Sequence, residues 1–435
     1  MTPVTVMPEM TAKGRKVHNA WRRNLLTFLM VAGPGLIVME ADNDAGAVST
    51  YVQAGAQYGT HLLWLLLLLL PITYFTQEMV ARLGIATGEG HAAMIYSRFG
   101  KWWGRFSLAD LLIVNFLTLI TEFAAIDLAM TAAGIRTWIA VPLAAVCLIV
   151  LVTSGGYLRW ERITIFLCLL DSAWVGMAIF TRPHLKEVAR HALLPSFPAG
   201  GLTGSLVFLM IAIVGTTIAP WQLFFQQSCV AEKRLRFSDL KWERLDTLAG
   251  ACFTVIVAGC MMMVGDLAYR HHIPFADPAQ LARALAPLVG AGFRNLILLL
   301  MVNASVLGAT AISLSSAWAY GEVKKWPHSL HKPLREAPGF YAIYISGVMA
   351  AAGVVLIPRL PLQLVIVGVQ VLAGLMLPSA IIFLQLLLND RELLGGRLAN
   401  KSWNNWVNWA IVTVLFALSL VLAVQVAAPH LFVKA

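Results

Sequence analysis

The sequence predicts an all-α protein that crosses a membrane many times, and composition and run length are the observations that predict it. Of the 435 residues, 59% are hydrophobic and only 12% are charged, whereas soluble globular proteins carry about a quarter charged residues. The apolar residues form long runs, and a helix needs roughly 20 such residues to span a bilayer. Runs of this length exclude barrel strands and indicate helices, because lipid cannot satisfy the backbone polar groups.

Eleven segments have the length and composition of spanning helices. We group them as a first repeat of five, 28–181, and a second repeat of five, 203–389. A cytoplasmic tail, 1–27, precedes them, and an eleventh segment, 405–428, follows. The predicted segments are 28–55, 60–82, 106–133, 138–155, 163–181, 203–230, 246–268, 290–320, 338–357, 361–389 and 405–428.

The basic residues predict how the chain lies in the membrane. The net charge is +10, but the Lys and Arg residues cluster in short loops between apolar segments. Alternate loops beginning with the N-terminal tail hold 23 of the 32 basic residues, and the opposite set holds 9. Because cytoplasmic loops carry the excess of Lys and Arg, the N-terminus is predicted inside and the C-terminus outside. Short loops and tails favour a bacterial inner membrane, with the lipid bilayer rather than nucleic acid as partner; no oligomer is implied.

Segments 1 and 6 contain residues that interrupt helices. Segment 1 carries Gly-Pro-Gly at 33–35 and an acidic stretch at 40–46, and segment 6 carries Gly-Thr-Thr-Ile-Ala-Pro at 215–220. Proline in a helix interior removes a hydrogen bond and clashes with the preceding turn. Interrupted helices at matching positions in two halves are typical of inverted-repeat transporters, whose substrate site lies at the breaks. No nucleotide-binding loop or nucleophile motif occurs in a fitting context, so neither an enzyme nor a bound cofactor is predicted.

Asp44 is the strongest candidate site residue. A carboxylate near the bilayer centre is costly and persists with a partner or a function. Carboxylate and carbonyl oxygens are the ligands that hard divalent cations prefer. Alternatively, Asp44 caps the second half of the broken helix, and both roles can hold together. Asp42 and Glu40 fall on other helical faces, and we expect them to line a cation or proton pathway.

The residues around both breaks resemble the natural resistance-associated macrophage protein (NRAMP) transporters. Asp-Ala-Gly-Ala at 44–47, followed by Gln-Ala-Gly-Ala at 53–56, resembles the family's first-helix signature of Asp-Pro-Gly-Asn and Gln-Ala-Gly-Ala. Ala-Pro-Trp-Gln at 219–222 stands where the family has Met-Pro-His-Asn, and 87–91 resembles its loop after helix 2. Gln370 precedes Pro378 at the family's spacing. The resemblance implies a LeuT-like (APC superfamily) fold, a 5+5 inverted repeat with broken helices 1 and 6 plus an eleventh helix.

Two departures from that family indicate the ion. Ala47 replaces the family's metal-binding Asn, and Ala219 replaces its metal-binding Met. A thioether suits Mn²⁺ or Fe²⁺ better than Mg²⁺, and Mg²⁺ keeps several waters that need the freed space. With Thr-Glu-Phe-Ala at 121–124, these features resemble the NRAMP-related magnesium transporters, which implies import of Mg²⁺ and also of Mn²⁺. The resemblance implies these metal-site residues: Asp44, Ala47, Thr216, Ala219, Gln370 and Glu122.

Proton coupling is not expected. The family's helix-6 histidines fall at Trp221 and Gln226, which do not titrate near neutral pH. Asp127, at the family's helix-3 relay position, remains as a candidate proton carrier or as a structural acid. Glu122 has a similar alternative, since it could pair with a basic or hydroxyl group. Transport driven by the ion gradient and membrane potential is therefore the prediction.

Several alternatives remain open on the sequence. One is a proton-coupled Mn²⁺/Fe²⁺ symporter of the ordinary family type, which would need a soft or nitrogen ligand. Another is an amino-acid carrier, in which Asp44 would repel the substrate carboxylate. A third, from another class, is a cation channel or a membrane scaffold that transports nothing.

Overall fold

The computed structural model describes residues 24–28, 30–198, 201 and 203–427, and these residues are almost entirely helical. Among them, eight helices or joined helix pairs are long and apolar enough to cross a membrane, judged by length and composition. The shorter apolar helix Thr137–Thr153 lies between two of them. The predicted all-α class is therefore confirmed.

After the helical residues 24–28 and 30–31, the described part of the first half of the chain contains eight further helices. Its first and fifth predicted segments are each split into two helices. The helices are α1 (Pro34–Ala41), α2 (Ala45–Tyr58), α3 (Leu63–Thr87), α4 (His91–Ala132), α5 (Thr137–Thr153), α6 (Tyr157–Leu170), α7 (Ala173–Phe180) and the short connecting helix α8 (Leu185–Leu193).

The second half repeats this pattern, again with its first segment split. A short 3₁₀ turn, Phe237–Asp239, precedes the second long helix of this half. The helices are α9 (Gly204–Thr217), α10 (Pro220–Glu232), α11 (Leu240–Arg270), α12 (Pro278–Val289), α13 (Ala291–Lys324), α14 (Pro338–Val355), α15 (Leu362–Asn389), α16 (Arg391–Leu398) and α17 (Ser402–Ala427).

The helix α4 begins earlier than predicted. Its predicted segment starts at 106, but the structure begins the helix at His91 and bends it at Gly100, where φ is +86°. Arg98, Lys101 and Arg105 interrupt the apolar residues between His91 and position 106, so no apolar run of spanning length marks this part of the helix. As a result His91, outside every predicted segment, is fully buried against Gln227 and Phe224 of α10.

Both breaks have a local chemical cause. Helix α1 ends at Ala41, and Asp44 takes an extended conformation as the N-cap of α2. Helix α9 ends at Thr217, Ile218 and Ala219 are extended, and Pro220 is the first residue of α10. Proline is favoured at that position because its missing N–H would be unpaired there anyway. An acidic cap and a proline therefore restart the two helices in different ways.

The broken helices lie at the centre of the bundle. Both α1 and α2 pack against α11, α9 packs against α15, and α10 packs against α3 and α13. The long helix α4 packs against α13 and α15 and so closes the other side. This arrangement places residues 42–44 and 218–219 away from lipid, where irregular backbone is tolerated.

Candidate metal site

Asp44 acts as the cap of α2 and remains available as a ligand. Its Oδ1 accepts a hydrogen bond from the backbone N of Ala47 at 3.0 Å. The residue is 3% exposed. The predicted capping role is therefore confirmed. A cap uses one carboxylate oxygen, so the ligand role predicted beside it is compatible with the contact observed.

Glu122 of α4 lies beside Asp44. Its Oε2 accepts from the backbone N of Ala45 at 3.2 Å, while its Oε1 is buried without a hydrogen-bond partner. A methyl group added at Gly308 of α13 would lie 2.7 Å from Asp44 Cβ and 3.0 Å from Glu122 Cδ. Two carboxylates thus converge on one glycine. Among the described ion pairs, none includes Glu122 or Asp44.

Gln370 of α15 lies directly over the start of α2. A side chain on Gly46 would overlap its amide Nε2, and this nitrogen has no hydrogen-bond partner. Gln370 is 1% exposed. A glutamine amide can present its oxygen or its nitrogen, so Gln370 has a free polar end at the break, as predicted from its spacing to Pro378.

The two threonines at the end of α9 have different contacts. Thr217 Oγ1 donates to the Ile213 carbonyl at 2.6 Å and contacts Tyr51 Oη at 2.8 Å. Thr216 Oγ1 is buried and has no partner. Back-bonding to the helix, the common role of hydroxyls in membrane helices, therefore applies to Thr217 and is absent at Thr216.

Alanines occupy two positions next to these polar groups. Ala47 is fully buried and Ala219 is 3% exposed. The Ala219 carbonyl accepts from Gln222 N at 3.2 Å, and a carbonyl oxygen has a second lone pair to offer. Neither side chain reaches toward an ion. At residues 218 and 219 the second break therefore presents backbone carbonyl oxygens and no polar side chain.

Asp42 and Glu40 are buried in this conformation, with exposures of 1% and 0%. Asp42 Oδ1 accepts from the amide of Gln222, whose oxygen in turn accepts from Gln77 Nε2 at 2.9 Å. Glu40 accepts from Asn43 and Thr254. Neither residue lines a water-filled approach here, and their pathway role stays a prediction.

Asp127 is not brought into the cluster. It lies further along α4, is 8% exposed, and accepts from Thr131 one turn later at 3.2 Å. Gln226, at one of the two histidine positions, donates to Thr247 at 3.0 Å and to Glu243 at 3.3 Å. These contacts join α10 to α11, and neither involves Asp44 or Glu122.

The sequence did not predict the hydrogen-bonded glutamines next to Asp42, where Gln222 donates to Asp42 and Gln77 donates to Gln222. Gln222 was noticed only as part of the motif at 219–222, and Gln77 was not singled out. A glutamine inside an apolar helix is a usable signal, because a buried amide needs partners. Gly308 gave no signal, since its importance arises only from the side chains that approach it.

The cluster is suited to a hard cation. Its carboxylates, amide and hydroxyl supply oxygen, and its described residues bring no basic side chain into ion-pair contact with Asp42, Asp44 or Glu122. Oxygen ligands of this kind are preferred by Mg²⁺, Ca²⁺ and Mn²⁺. Every predicted metal-site residue is at most 3% exposed, so the site is closed to water on both sides.

Comparisons with known proteins agree with this architecture. The chain is 29% identical over 441 residues to "Divalent metal cation transporter MntH" of Ralstonia nicotianae, covering 94% of this chain and 92% of the relative. A manganese transporter of Eremococcus coleocola superposes with a TM-score of 0.75 at 19% identity, covering 95% and 88% of the two chains. MhsT in complex with L-phenylalanine gives a TM-score of 0.55 at 15% identity, covering 89% and 98%.

These structural likenesses show the LeuT-like fold, and with the broken α1/α2 and α9/α10 helices they confirm the predicted architecture. The family described as "Natural resistance-associated macrophage protein-like" matches residues 35–425, which is most of the chain. The match includes both breaks and the residues gathered around them. The chain therefore belongs to the natural resistance-associated macrophage protein-like family.

Proposed function

We propose that this protein imports Mg²⁺, and also Mn²⁺, as a partly hydrated ion by alternating access. The observation that carries the proposal is the oxygen-rich cluster of Asp44, Glu122, Thr216 and Gln370 at the breaks. Three of these residues each leave a buried polar atom unpaired. A cation with its remaining waters would satisfy those atoms and offset the two carboxylates.

The names of the relatives support a divalent metal as the substrate class. The Ralstonia relative is called a divalent metal cation transporter, and the Eremococcus neighbour is called a manganese transporter. These names favour Mn²⁺ at least as much as Mg²⁺. The Mg²⁺ assignment rests instead on residue types, because the described cluster offers oxygen and no thioether or imidazole ligand.

The alanines support a hydrated ion. Mg²⁺ sheds water reluctantly and is usually bound through one or two carboxylates with several waters retained. Ala47 and Ala219 are small and bring no side-chain ligand, which leaves the remaining positions around the ion to its own waters. The protein would then contact the ion directly through Asp44 and through water at the surrounding oxygens.

Uptake without proton coupling is part of the proposal. Trp221 has no group that titrates near neutral pH, and the Gln226 amide donates hydrogen bonds to Glu243 and Thr247. The remaining acid of the predicted relay, Asp127, is outside the cluster and bonded to Thr131. The gradient of the ion and the membrane potential, worth about 2.3 kcal/mol per charge per 100 mV, would then drive entry.

Contacts at the start of α1 fit an alternating-access cycle. Asp246 Oδ2 accepts from the backbone N of Gly33 at 3.0 Å and of Gly35 at 2.8 Å. Lys233 pairs with Glu161 at 2.7 Å and donates to the Ala32 carbonyl at 2.8 Å. With the N-terminus predicted inside, these contacts close the cytoplasmic side. They must break for the ion to leave into the cell.

Uptake into proteoliposomes tests the proposal. The vesicles would contain a Mg²⁺-sensitive dye and a pH dye, with Asp44→Ala as the inactive variant and Asp127→Asn as the matched acid control. We expect Mg²⁺ entry in wild type, about 100-fold slower entry in Asp44→Ala, since the ion loses its anionic ligand, and no internal acidification.

Entry of Mn²⁺ without Mg²⁺, accompanied by protons that Asp127→Asn abolishes, would instead identify a proton-coupled Mn²⁺ symporter. This second candidate is favoured by the relatives' names. A single-file conductance that saturates only at high ion concentration would identify a channel. The closed site favours a carrier, because an ion must wait for a conformational change to enter or leave it.

A further inference from the structure

A second group of buried acids lies on another side of the first break. Glu40 is near the end of α1, and Asp171 lies between α6 and α7. Both residues are 0% exposed. Each is joined to an asparagine, Glu40 to Asn43 and Asp171 to Asn303 of α13. Helix α1 packs against both α6 and α13, which brings the two acid–amide pairs together.

The hydrogen bonds in this group consume its donors. Asn43 Nδ2 donates to Glu40 Oε1 at 3.1 Å, and Thr254 Oγ1 lies 3.4 Å from Glu40 Oε2. Asn303 Nδ2 donates to Asp171 Oδ1 at 2.9 Å and to the Leu167 carbonyl at 3.0 Å. The amide nitrogens thus face the acids or the backbone, and none is left over.

Three oxygen acceptors in the group remain without a partner. They are Asn43 Oδ1, Asp171 Oδ2 and Asn303 Oδ1, each buried. Asn43 is 0% exposed and Asn303 is 6% exposed. Because the two ends of an amide are neighbours, each free oxygen lies beside the carboxylate that its own nitrogen binds. Buried polar atoms are normally paired, so three unpaired acceptors on helices that pack against one another indicate that a hydrogen-bond donor or a cation is missing.

The charges indicate the same missing partner. Glu40 and Asp171 are close enough for their charges to repel each other, and Cys168 of α6 is within electrostatic reach of both. Among the described residues, no Lys, Arg or His forms an ion pair with either acid. A buried charge without a partner costs several kcal/mol. Protons taken up by the acids, or a cation bound between them, would remove this cost.

We propose that this pocket, formed by Glu40, Asn43, Asp171 and Asn303, binds a second hard divalent cation, separate from the ion at Asp44. One carboxyl proton shared between two oxygens would still leave the third acceptor unpaired. A metal ion can be ligated by all of them, and two carboxylates with two amide oxygens form the ligand set of a hard divalent ion. Its charge of +2 also balances both acids, which a monovalent ion would not.

The second ion has a structural consequence for α1. Asn43 and Glu40 belong to the first break, whereas Asp171 and Asn303 belong to α6/α7 and α13. An ion held between them would fix the end of α1 to the rest of the bundle. Occupancy of the pocket would then favour the closed state seen here over states in which α1 moves away.

Counting bound Mn²⁺ on the purified full-length chain tests this proposal. Equilibrium dialysis with Mn²⁺ would compare wild type with Asp171→Asn, Glu40→Gln and Asp44→Ala. Glu322→Gln, which alters a buried acid of α13 bonded to Ser228, is the matched control. The asparagine and glutamine replacements keep the shape and hydrogen-bonding capacity of the acids, so folding should be retained.

We expect about two Mn²⁺ per wild-type and Glu322→Gln chain, and about one in Asp171→Asn, Glu40→Gln and Asp44→Ala, since each loses ligands of a single site. The Asp171→Asn, Asp44→Ala double variant should bind none. This result does not depend on transport. If Asp44 is not the substrate ligand, the Asp171→Asn chain still loses one ion relative to wild type.

About one Mn²⁺ per wild-type chain, lost entirely in Asp44→Ala and unchanged in Asp171→Asn, would overturn the proposal. A thermal shift of wild type with Na⁺ that Asp171→Asn abolishes, without loss of bound Mn²⁺, would replace the divalent ion by a monovalent one and also overturn it. Higher thermal stability of Asp171→Asn with an unchanged ion count would show that the acids share a proton instead.

Discussion

The two broken helices have the same architecture but opposite chemistry. The first break places three acids and one amide within residues 40–44. The second break, at Ile218 and Ala219, has no charged residue and restarts at a proline. A helix can therefore be interrupted by an acidic cap or by proline with a similar backbone result. Only the first solution brings charge to the centre of the bundle.

Because of this difference, the two halves of the chain would contribute different kinds of ligand to the proposed site. In the proposed site, the first half would supply Asp44 and Glu122, and the second half would supply Thr216, the Ala219 carbonyl and Gln370. Affinity for a divalent cation should depend mainly on the first break. Selectivity among cations should depend on the second, where a single side chain can change the ligand type.

The largest effect is expected for a variant of Asp44 that loses the negative charge but still caps α2. Asp44→Asn retains a good N-cap for α2 but removes the negative charge. We expect Mg²⁺ uptake to fall about 100-fold because the anionic ligand is lost, while the melting temperature stays close to that of wild type. Asp44→Ala should lose both properties. Uptake by Asp44→Asn near the wild-type rate would mean that capping alone is the role of Asp44.

A selectivity change is expected at the second break. Ala219→Met introduces a thioether, which favours Mn²⁺ over Mg²⁺. We expect the ratio of Mn²⁺ to Mg²⁺ uptake to rise about 10-fold, corresponding to about 1.4 kcal/mol. Ala219→Leu is the control of similar size without sulfur. An equal change in both variants would attribute the effect to volume and not to ligand chemistry.

A stability change is expected where α9 meets α15. A side chain at Gly215 would overlap the Gln370 carbonyl, and its next neighbour is Gly374 N at 2.7 Å. We expect Gly215→Ala to lower the free energy of unfolding by about 1–3 kcal/mol through overpacking. The control is Gly368→Ala on α15, where an added methyl group would meet nothing within 4 Å, so this change should be neutral. A thermal melt of both variants in detergent measures this difference.

The smallest effects are expected at the neighbouring threonines. Thr216→Val removes a hydroxyl that has no partner in the protein, so stability should be kept. The apparent Mg²⁺ affinity should fall about 3-fold, a smaller free energy than that of one hydrogen bond to a charged group. Thr217→Val removes the bond to Tyr51 and should cost about 1 kcal/mol of stability. The reverse pattern would show that Thr217, and not Thr216, faces the ion.

The sequence predicted the breaks well because their causes are local. Pro220 and Asp44 act on the residues next to them, and an apolar segment with such residues in its middle can be recognised by inspection. The predicted helix bounds were less accurate where a helix end depends on contacts with residues far away in the chain. The start of α4 at His91 depends on contacts with Gln227 and Phe224 of another helix, and no run of apolar residues marks it.

The neighbours of the site residues could not be predicted in the same way. Nothing in the sequence places Glu122 beside Ala45, or Gln222 beside Asp42, because these contacts join residues far apart in the chain. Asp171 lies inside the predicted segment 163–181, where an acid is a usable signal, but nothing in the sequence predicted that it would lie beside Asn303.

By itself, the sequence determined the membrane environment, the helical class, the two breaks and the acid at the first of them. These properties follow from composition, run length and local backbone chemistry. Only the tertiary structure decided which polar groups meet, because the helices must pack around the breaks before Glu122 can lie beside Ala45 and Gln370 beside Gly46. It also decided which polar atoms remain unpaired, and both proposed cation sites are inferred from those atoms.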